Sequence, residues 1–263
     1  MNINKKCAAE FVGTFYLCFA GISAILCDQL TGGQVGLLGI ALAHGIALSI
    51  GVAVTGGISG GHLNPAVTVG LLVTRKIEPP MAGKYILSQL AGATFAALVC
   101  QAIFQHLPGA QLRAAIPLPG VIEGVGTTPE NFGMVPVLMA EFVMTFLLVT
   151  SVYSVAVDTR GKAVKIGAFA IGLTVTFCIL AGGSVSGASM NPARSFGPAL
   201  VNLYFVNHWY YWVAPILGGI AGGLFYQNVL LEDETSDSEE PAAEAAPAAD
   251  DGGAATEDEA AGQ

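Results

Sequence analysis

Two blocks of this sequence recur, and the manner of their recurrence leaves very few folds open. Ala9-Glu10-Phe11-Val12-Gly13-Thr14-Phe15 returns as Ala140-Glu141-Phe142-Val143-Met144-Thr145-Phe146. Ser59-Gly60-Gly61-His62-Leu63-Asn64-Pro65-Ala66 returns as Ser186-Gly187-Ala188-Ser189-Met190-Asn191-Pro192-Ala193. A looser match pairs Gln89-Leu90-Ala91-Gly92 with Pro215-Ile216-Leu217-Gly218. The offsets are 131, 127 and 126 residues, so the halves stay in register. Only 11% of the chain is charged, against about 25% in soluble domains. Six long apolar segments stand out, near residues 8–27, 35–55, 82–104, 135–157, 164–182 and 209–231. Each approximates the ~20 residues that a spanning helix requires. Three crossings per half force the second half to enter the bilayer from the opposite face, which makes the duplication an inverted repeat.

The repeated Asn-Pro-Ala triplets read as helix starts. Proline suits the first helical position, where its missing N–H would be unpaired anyway, and asparagine is among the best N-caps. The apolar stretches that follow, Val67 to Val73 and Phe196 to Val201, are too short to cross a bilayer. Ten helical residues rise about 15 Å, half of a hydrocarbon core about 30 Å thick. Two half-helices entering from opposite sides and meeting at Asn64 and Asn191 would together cross it. The fold expected is therefore an all-α membrane protein of six transmembrane helices plus two re-entrant half-helices. Residues 1–106 form the first repeat, 107–134 an external linker, 135–231 the second repeat, and 232–263 a tail.

Basic residues set the orientation. Lys5, Lys6, Arg75, Lys76, Lys84, Arg160, Lys162 and Lys165 all fall on one side, leaving Arg113 and Arg194 for the other. The crowded side is the cytoplasmic one, so both termini lie inside, and the chain reads as an integral protein of the cell membrane. The net charge of -9 misleads, because residues 232–263 carry twelve acidic residues and no basic one. That tail, rich in Ala, Pro, Asp and Glu, has the composition of a disordered segment. Glycines at Gly218-x-x-x-Gly222 and Gly219-x-x-x-Gly223 suit close helix packing in lipid. The five cysteines show no metal-ligand spacing. No Ser/His/Asp or Cys/His arrangement stands out. Neither an enzyme, nor a cofactor, nor a nucleic-acid partner is expected.

With both triplets in register, the chain resembles the aquaporins, or major intrinsic proteins, over about residues 5–230. The paired carboxylates and the run Asn191-Pro192-Ala193-Arg194-Ser195-Phe196-Gly197-Pro198 carry the resemblance. It implies a passive pore for water and small neutral solutes that excludes protons and ions, assembled as a homotetramer in the bilayer. It implies a pore centre at Asn64, Pro65, Ala66, Asn191, Pro192 and Ala193. It implies an outer constriction of His44, Ile179, Ala188 and Arg194. That set departs from both orthodox water channels and glycerol channels, and looks most like the plant tonoplast intrinsic proteins, a group associated with water plus ammonia or urea. Ser195, Ala199 and Tyr211-Trp212 point the same way, to the water branch.

Elementary physics supports several of these roles. Two half-helix N-termini converging at the midplane carry about half a positive charge each, which repels cations. The amides of Asn64 and Asn191 offer N–H donors to a passing oxygen, and His44 and Arg194 are expected to offer donors at the constriction. Arginine at membrane depth needs partners or a wet path. Glu10 and Glu141 are intramembrane carboxylates, for which two readings exist. In one they brace re-entrant backbone that would otherwise be unsatisfied, with Gln89 in the same network. In the other they relay protons and the protein is a proton-coupled transporter. A glycerol or urea facilitator of the same fold is the alternative within the channel class.

Overall fold

The computed structural model describes residues 2–120, 133–162 and 166–231. The acidic tail, linker residues 121–132 and Lys165 lie outside the described residues. Within them, all repetitive structure is helical. In chain order the α-helices are α1 (Ile3–Leu30), α2 (Gly36–Ser59), α3 (Pro65–Val73), α4 (Pro79–Phe104), α5 (Met134–Val152), α6 (Thr159–Lys162), α7 (Gly167–Ser186), α8 (Pro192–Val201) and α9 (Tyr210–Phe225). A 3-10 turn covers Leu112–Ala115, and π-helical turns extend α5 over Tyr153–Val157 and α9 over Tyr226–Leu230.

Six of these are long and apolar enough to cross a membrane: α1, α2, α4, α5, α7 and α9, the fifth and ninth with their π-turns. The expected spans are all present, but their ends differ. The first begins at Ile3 rather than near residue 8, because Asn2 caps it through its side chain, accepting from the Asn4 N–H at 2.9 Å. Lys5 and Lys6 thus ride on the helix. The fourth starts at Met134, one residue inside the stretch expected to be linker. The half-helices α3 and α8 begin at Pro65 and Pro192, directly behind their asparagine caps.

Glycine brings the layers together. The two interleaved glycine pairs of α9 serve different neighbours. A methyl at Gly219 would lie 2.5 Å from the Ala66 carbonyl of α3, and one at Gly222 would lie 2.7 Å from the Phe146 carbonyl of α5. In the other repeat a methyl at Gly197 on α8 would lie 2.5 Å from the Ala93 carbonyl of α4. Each half-helix is therefore seated against a span of the opposite repeat. Outward, Leu38, Leu42, Ile46, Ile50 and Val54 form an exposed apolar stripe along α2. In water such a stripe would be a liability, but lipid is as apolar as the side chains.

Below the spans, one corner is tied by polar groups. The Tyr153 hydroxyl bonds Thr74 and donates to the Gly70 carbonyl at 3.2 Å, so the end of α5 holds the end of α3. Tyr153 also packs against Tyr226, whose hydroxyl donates to Asp158 at 3.0 Å. Arg160 pairs with that carboxylate at 2.7 Å and donates to the Leu230 carbonyl at 2.7 Å.

Candidate functional site

The two half-helix starts meet. Asn64 Oδ1 accepts from the Ala66 N–H at 2.8 Å, and Asn191 Oδ1 accepts from Ala193 and Arg194 at 3.0 and 3.3 Å. Each asparagine also reaches across the repeat. Asn64 Nδ2 donates to the Met190 carbonyl at 2.8 Å, and Asn191 Nδ2 donates to the Leu63 carbonyl at 2.9 Å. The caps are therefore also a reciprocal cross-link. One N–H of each amide is spent on it and one is left without a protein partner among the described residues. Both asparagines line a common cavity with His62, Ser189 and Arg194. Pro65, Ala66, Pro192 and Ala193 are buried inside their helices and do not line it.

The loops that deliver these caps bend sharply. Gly60 and Gly61 have φ of 94° and 62°, and Leu63 has 51°. Their repeat partners Gly187, Ala188 and Met190 have 79°, 43° and 52°. Leu, Ala and Met are strained at positive φ, so something must hold these turns. The carboxylates do. Glu10 accepts from Ser59 Oγ (2.5 Å), the His62 N–H (3.0 Å), the Leu63 N–H (2.7 Å) and Gln89 Nε2 (2.7 Å). Glu141 accepts from Ser186 Oγ (2.7 Å), the Ser189 N–H (2.8 Å) and the Met190 N–H (2.7 Å). Both glutamates have no exposed surface and neither lines the cavity. Glu141 has one donor fewer because Pro215 stands where Gln89 stands in the first repeat.

His44, Ile179, Ala188 and Arg194, distant in sequence, line the same cavity. His44, Ile179 and Arg194 also line a second vestibule, with Ile25, Ala114 and Gly187. This group therefore stands between two open volumes. Arg194 donates to the Ala115 carbonyl at 3.2 Å and lies 3.4 Å from His44 Nε2. It has no carboxylate partner among the described residues. His44 Nδ1 lies 2.8 Å from the Ile40 carbonyl and must donate there. Its Nε2 then faces Arg194 as an acceptor, since a guanidinium can only donate. This corrects the expectation that His44 offers a donor to a solute. Arg194 has five N–H groups, two of them engaged in these contacts. The constriction's free donors come from the rest.

Tyr85, the bracing contact of Tyr211 and the Ala115 carbonyl escaped the sequence reading. Tyr85 donates to the Ser59 carbonyl at 2.8 Å, as Tyr211 does to the Ser186 carbonyl at 2.8 Å. Their spacing of 126 residues is that of Gln89 and Pro215, so the signal was available by extending that match. The Ala115 carbonyl left no such trace, because a backbone group has no sequence signature. Trp212 packs edge-on against Phe196 of α8. The Gln89 amide also reaches Thr68 Oγ1 at 3.0 Å, while its Oε1 has no partner among the described residues.

Comparison with known proteins agrees with this architecture. Residues 1–226 match the family described as Major intrinsic protein, and the chain belongs to that family. It is 44% identical over 233 residues to "Aquaporin TIP2-2" of Zea mays, covering 86% of this chain and 88% of that one. It is 42% identical over 229 residues to "Aquaporin TIP2-1" of Arabidopsis thaliana, covering 85% and 86%. Among solved structures, an aquaglyceroporin from Plasmodium falciparum superposes with a TM-score of 0.76 at 23% identity, covering 87% of this chain and 97% of that one. The aquaporin fold and an integral membrane protein of the aquaporin class follow.

Proposed function

We propose that this chain is a passive channel for water that also passes ammonia and excludes protons and ions. The observation that carries the reading is the reciprocal pair of asparagine caps. Each amide is fixed by one bond to the opposite loop and keeps one N–H for a passing oxygen, at the point where two helix N-termini converge. Their partial positive charges disfavour a cation there. A water molecule that accepts from both amides points its own hydrogens away from the midpoint and cannot relay a proton through it.

Arg194, His44, Ile179 and Ala188 form the selectivity filter in this reading. Small Ala188 and apolar Ile179 leave width, and Arg194 supplies the donors. These four residues supply no apolar aromatic corner for the carbon chain of glycerol, so glycerol should pass poorly. Glu10, Glu141 and Gln89 act as braces. The carboxylate oxygens of Glu10 and Glu141 are taken by backbone and side-chain donors, and neither glutamate lines the cavity, which favours bracing over proton relay.

The basic-residue asymmetry supports cytoplasmic termini, the exposed apolar faces suit lipid, and the homotetramer rests on the family resemblance. The names of the relatives favour the tonoplast over the cell membrane expected from the sequence. The test is a solute panel in proteoliposomes. Water and ammonia permeation well above that of empty vesicles, with poor glycerol flux, supports the assignment. Free glycerol flux without ammonia flux overturns it.

A further inference from the structure

The linker between the repeats does more than connect them, because its described part lies over Arg194. The 3-10 turn Leu112–Ala115 ends in the carbonyl that accepts from Arg194 at 3.2 Å. That carbonyl can hold the guanidinium only if the turn itself is held. Three contacts do so. The Gln111 N–H donates to Gln29 Oε1 on α1 at 2.9 Å. The Gly120 N–H donates to the Val185 carbonyl at the end of α7 at 2.8 Å. Between them, the Arg113 guanidinium carbon stands 4.0 Å from the centre of the Tyr204 ring.

The third contact matters most for geometry. The Tyr204 N–H is bonded to the Ala199 carbonyl of α8 at 2.9 Å, so its backbone moves with the half-helix. The turn thus grips α8 at both ends. Ala115 takes Arg194 in the first turn of α8, and Arg113 takes Tyr204 just past its last turn. Arg113 has no ion pair among the described residues and is exposed, so stacking is its one side-chain attachment. Tyr204 is half-buried and presents an aromatic face, the surface a planar guanidinium prefers.

We infer that Arg113 and Tyr204 form a latch that sets the position of Arg194, and that they are positioning residues for solute selection. Opening the latch loosens the turn, withdraws the Ala115 carbonyl, and lets the guanidinium leave the pore wall. The aperture then widens for solutes larger than water. The inference rests on Arg194 being the filter cation.

An exposed cation–π contact shifts its own equilibrium by roughly two- to fivefold. The ratio of urea to water permeability should rise by about that factor in Arg113→Ala and in Tyr204→Leu. Tyr204→Phe keeps the ring face and should behave as the wild type, and Arg113→Lys should fall between. Gln29→Leu removes a separate tether and should shift the ratio in the same direction, which keeps the test alive if one latch variant fails to fold. All ratios are measured on the full chain in proteoliposomes at equal density, so a loss of folded protein does not imitate the effect. Arg194→Ala is the control. If it changes the ratio while Arg113→Ala, Tyr204→Leu and Gln29→Leu do not, the latch is refuted and the filter stands. If Arg194→Ala also leaves the ratio unchanged, the filter reading itself fails.

Discussion

Replacing Glu141 by alanine removes the acceptor for two buried backbone N–H groups, Ser189 and Met190, and for the Ser186 hydroxyl. The hydroxyl can rotate to another acceptor. The amides cannot, because the positive φ at Ala188 and Met190 fixes their direction. Each buried donor left unpaired costs about 1–3 kcal/mol, so the pair costs roughly 2–6 kcal/mol. That is a large part of the roughly 5–15 kcal/mol by which proteins are stable. Glu141→Gln keeps one acceptor oxygen but turns an NH2 toward a donor, so about half the loss should remain. Glu10→Ala strands the His62 and Leu63 amides and also one bond of Gln89, and should be the more severe of the two. The assay is folded yield and thermal midpoint in detergent by size-exclusion fluorescence, alongside water permeability per folded channel in liposomes. The expected order of stability is wild type, Glu141→Gln, Glu141→Ala, Glu10→Ala, with near-normal flux in whatever folds. Normal yield with abolished transport that had been driven by a pH gradient would refute the bracing argument and revive the proton relay.

Three further outcomes are expected. His44→Phe removes the acceptor facing Arg194 and should cut ammonia flux more than water flux in matched proteoliposomes; an equal loss of both would mean the ring acts only as a wall. Gly219→Ala should lower folded yield, because its methyl would sit 2.5 Å from the Ala66 carbonyl, whereas Gly83→Ala, with open space around it, should be tolerated. At the membrane edge, the Arg160 guanidinium, helped by the Tyr226 hydroxyl, holds the Asp158 carboxyl well below the usual carboxylate range. A depressed folded pKa contributes stability that is complete above the unfolded value, about 3.9 for Asp, and is lost as pH falls below it. The melting deficit of Asp158→Asn should therefore be the same at pH 8 and pH 5 and shrink only in stronger acid.

The parts of this molecule that follow a repeat were legible in its sequence. The spans, the half-helices and the paired roles of Asn64 with Asn191 and Glu10 with Glu141 all rest on side chains that recur in register. Tyr85 and Tyr211 recur too, and extending the match at Gln89 by four residues would have exposed them. What stayed hidden was made by backbone. The Met190 and Leu63 carbonyls that receive the asparagine amides, and the Ala115 carbonyl that receives Arg194, depend on where the chain passes, not on which residue it carries. His44 shows the same limit from the other side. Its identity suggested a donor, but the Ile40 carbonyl one turn earlier takes its proton and leaves an acceptor toward Arg194. The π-turns after α5 and α9 had no sequence signal that distinguishes them from ordinary helix.

The central claim is water conduction without protons past the crossed asparagine amides. Its most direct test is stopped-flow osmotic shrinkage of proteoliposomes carrying an entrapped pH dye. The account predicts shrinkage much faster than in empty liposomes, with no faster collapse of an imposed pH gradient. Shrinkage no faster than in empty liposomes, or water flux accompanied by rapid loss of the pH gradient, would contradict it.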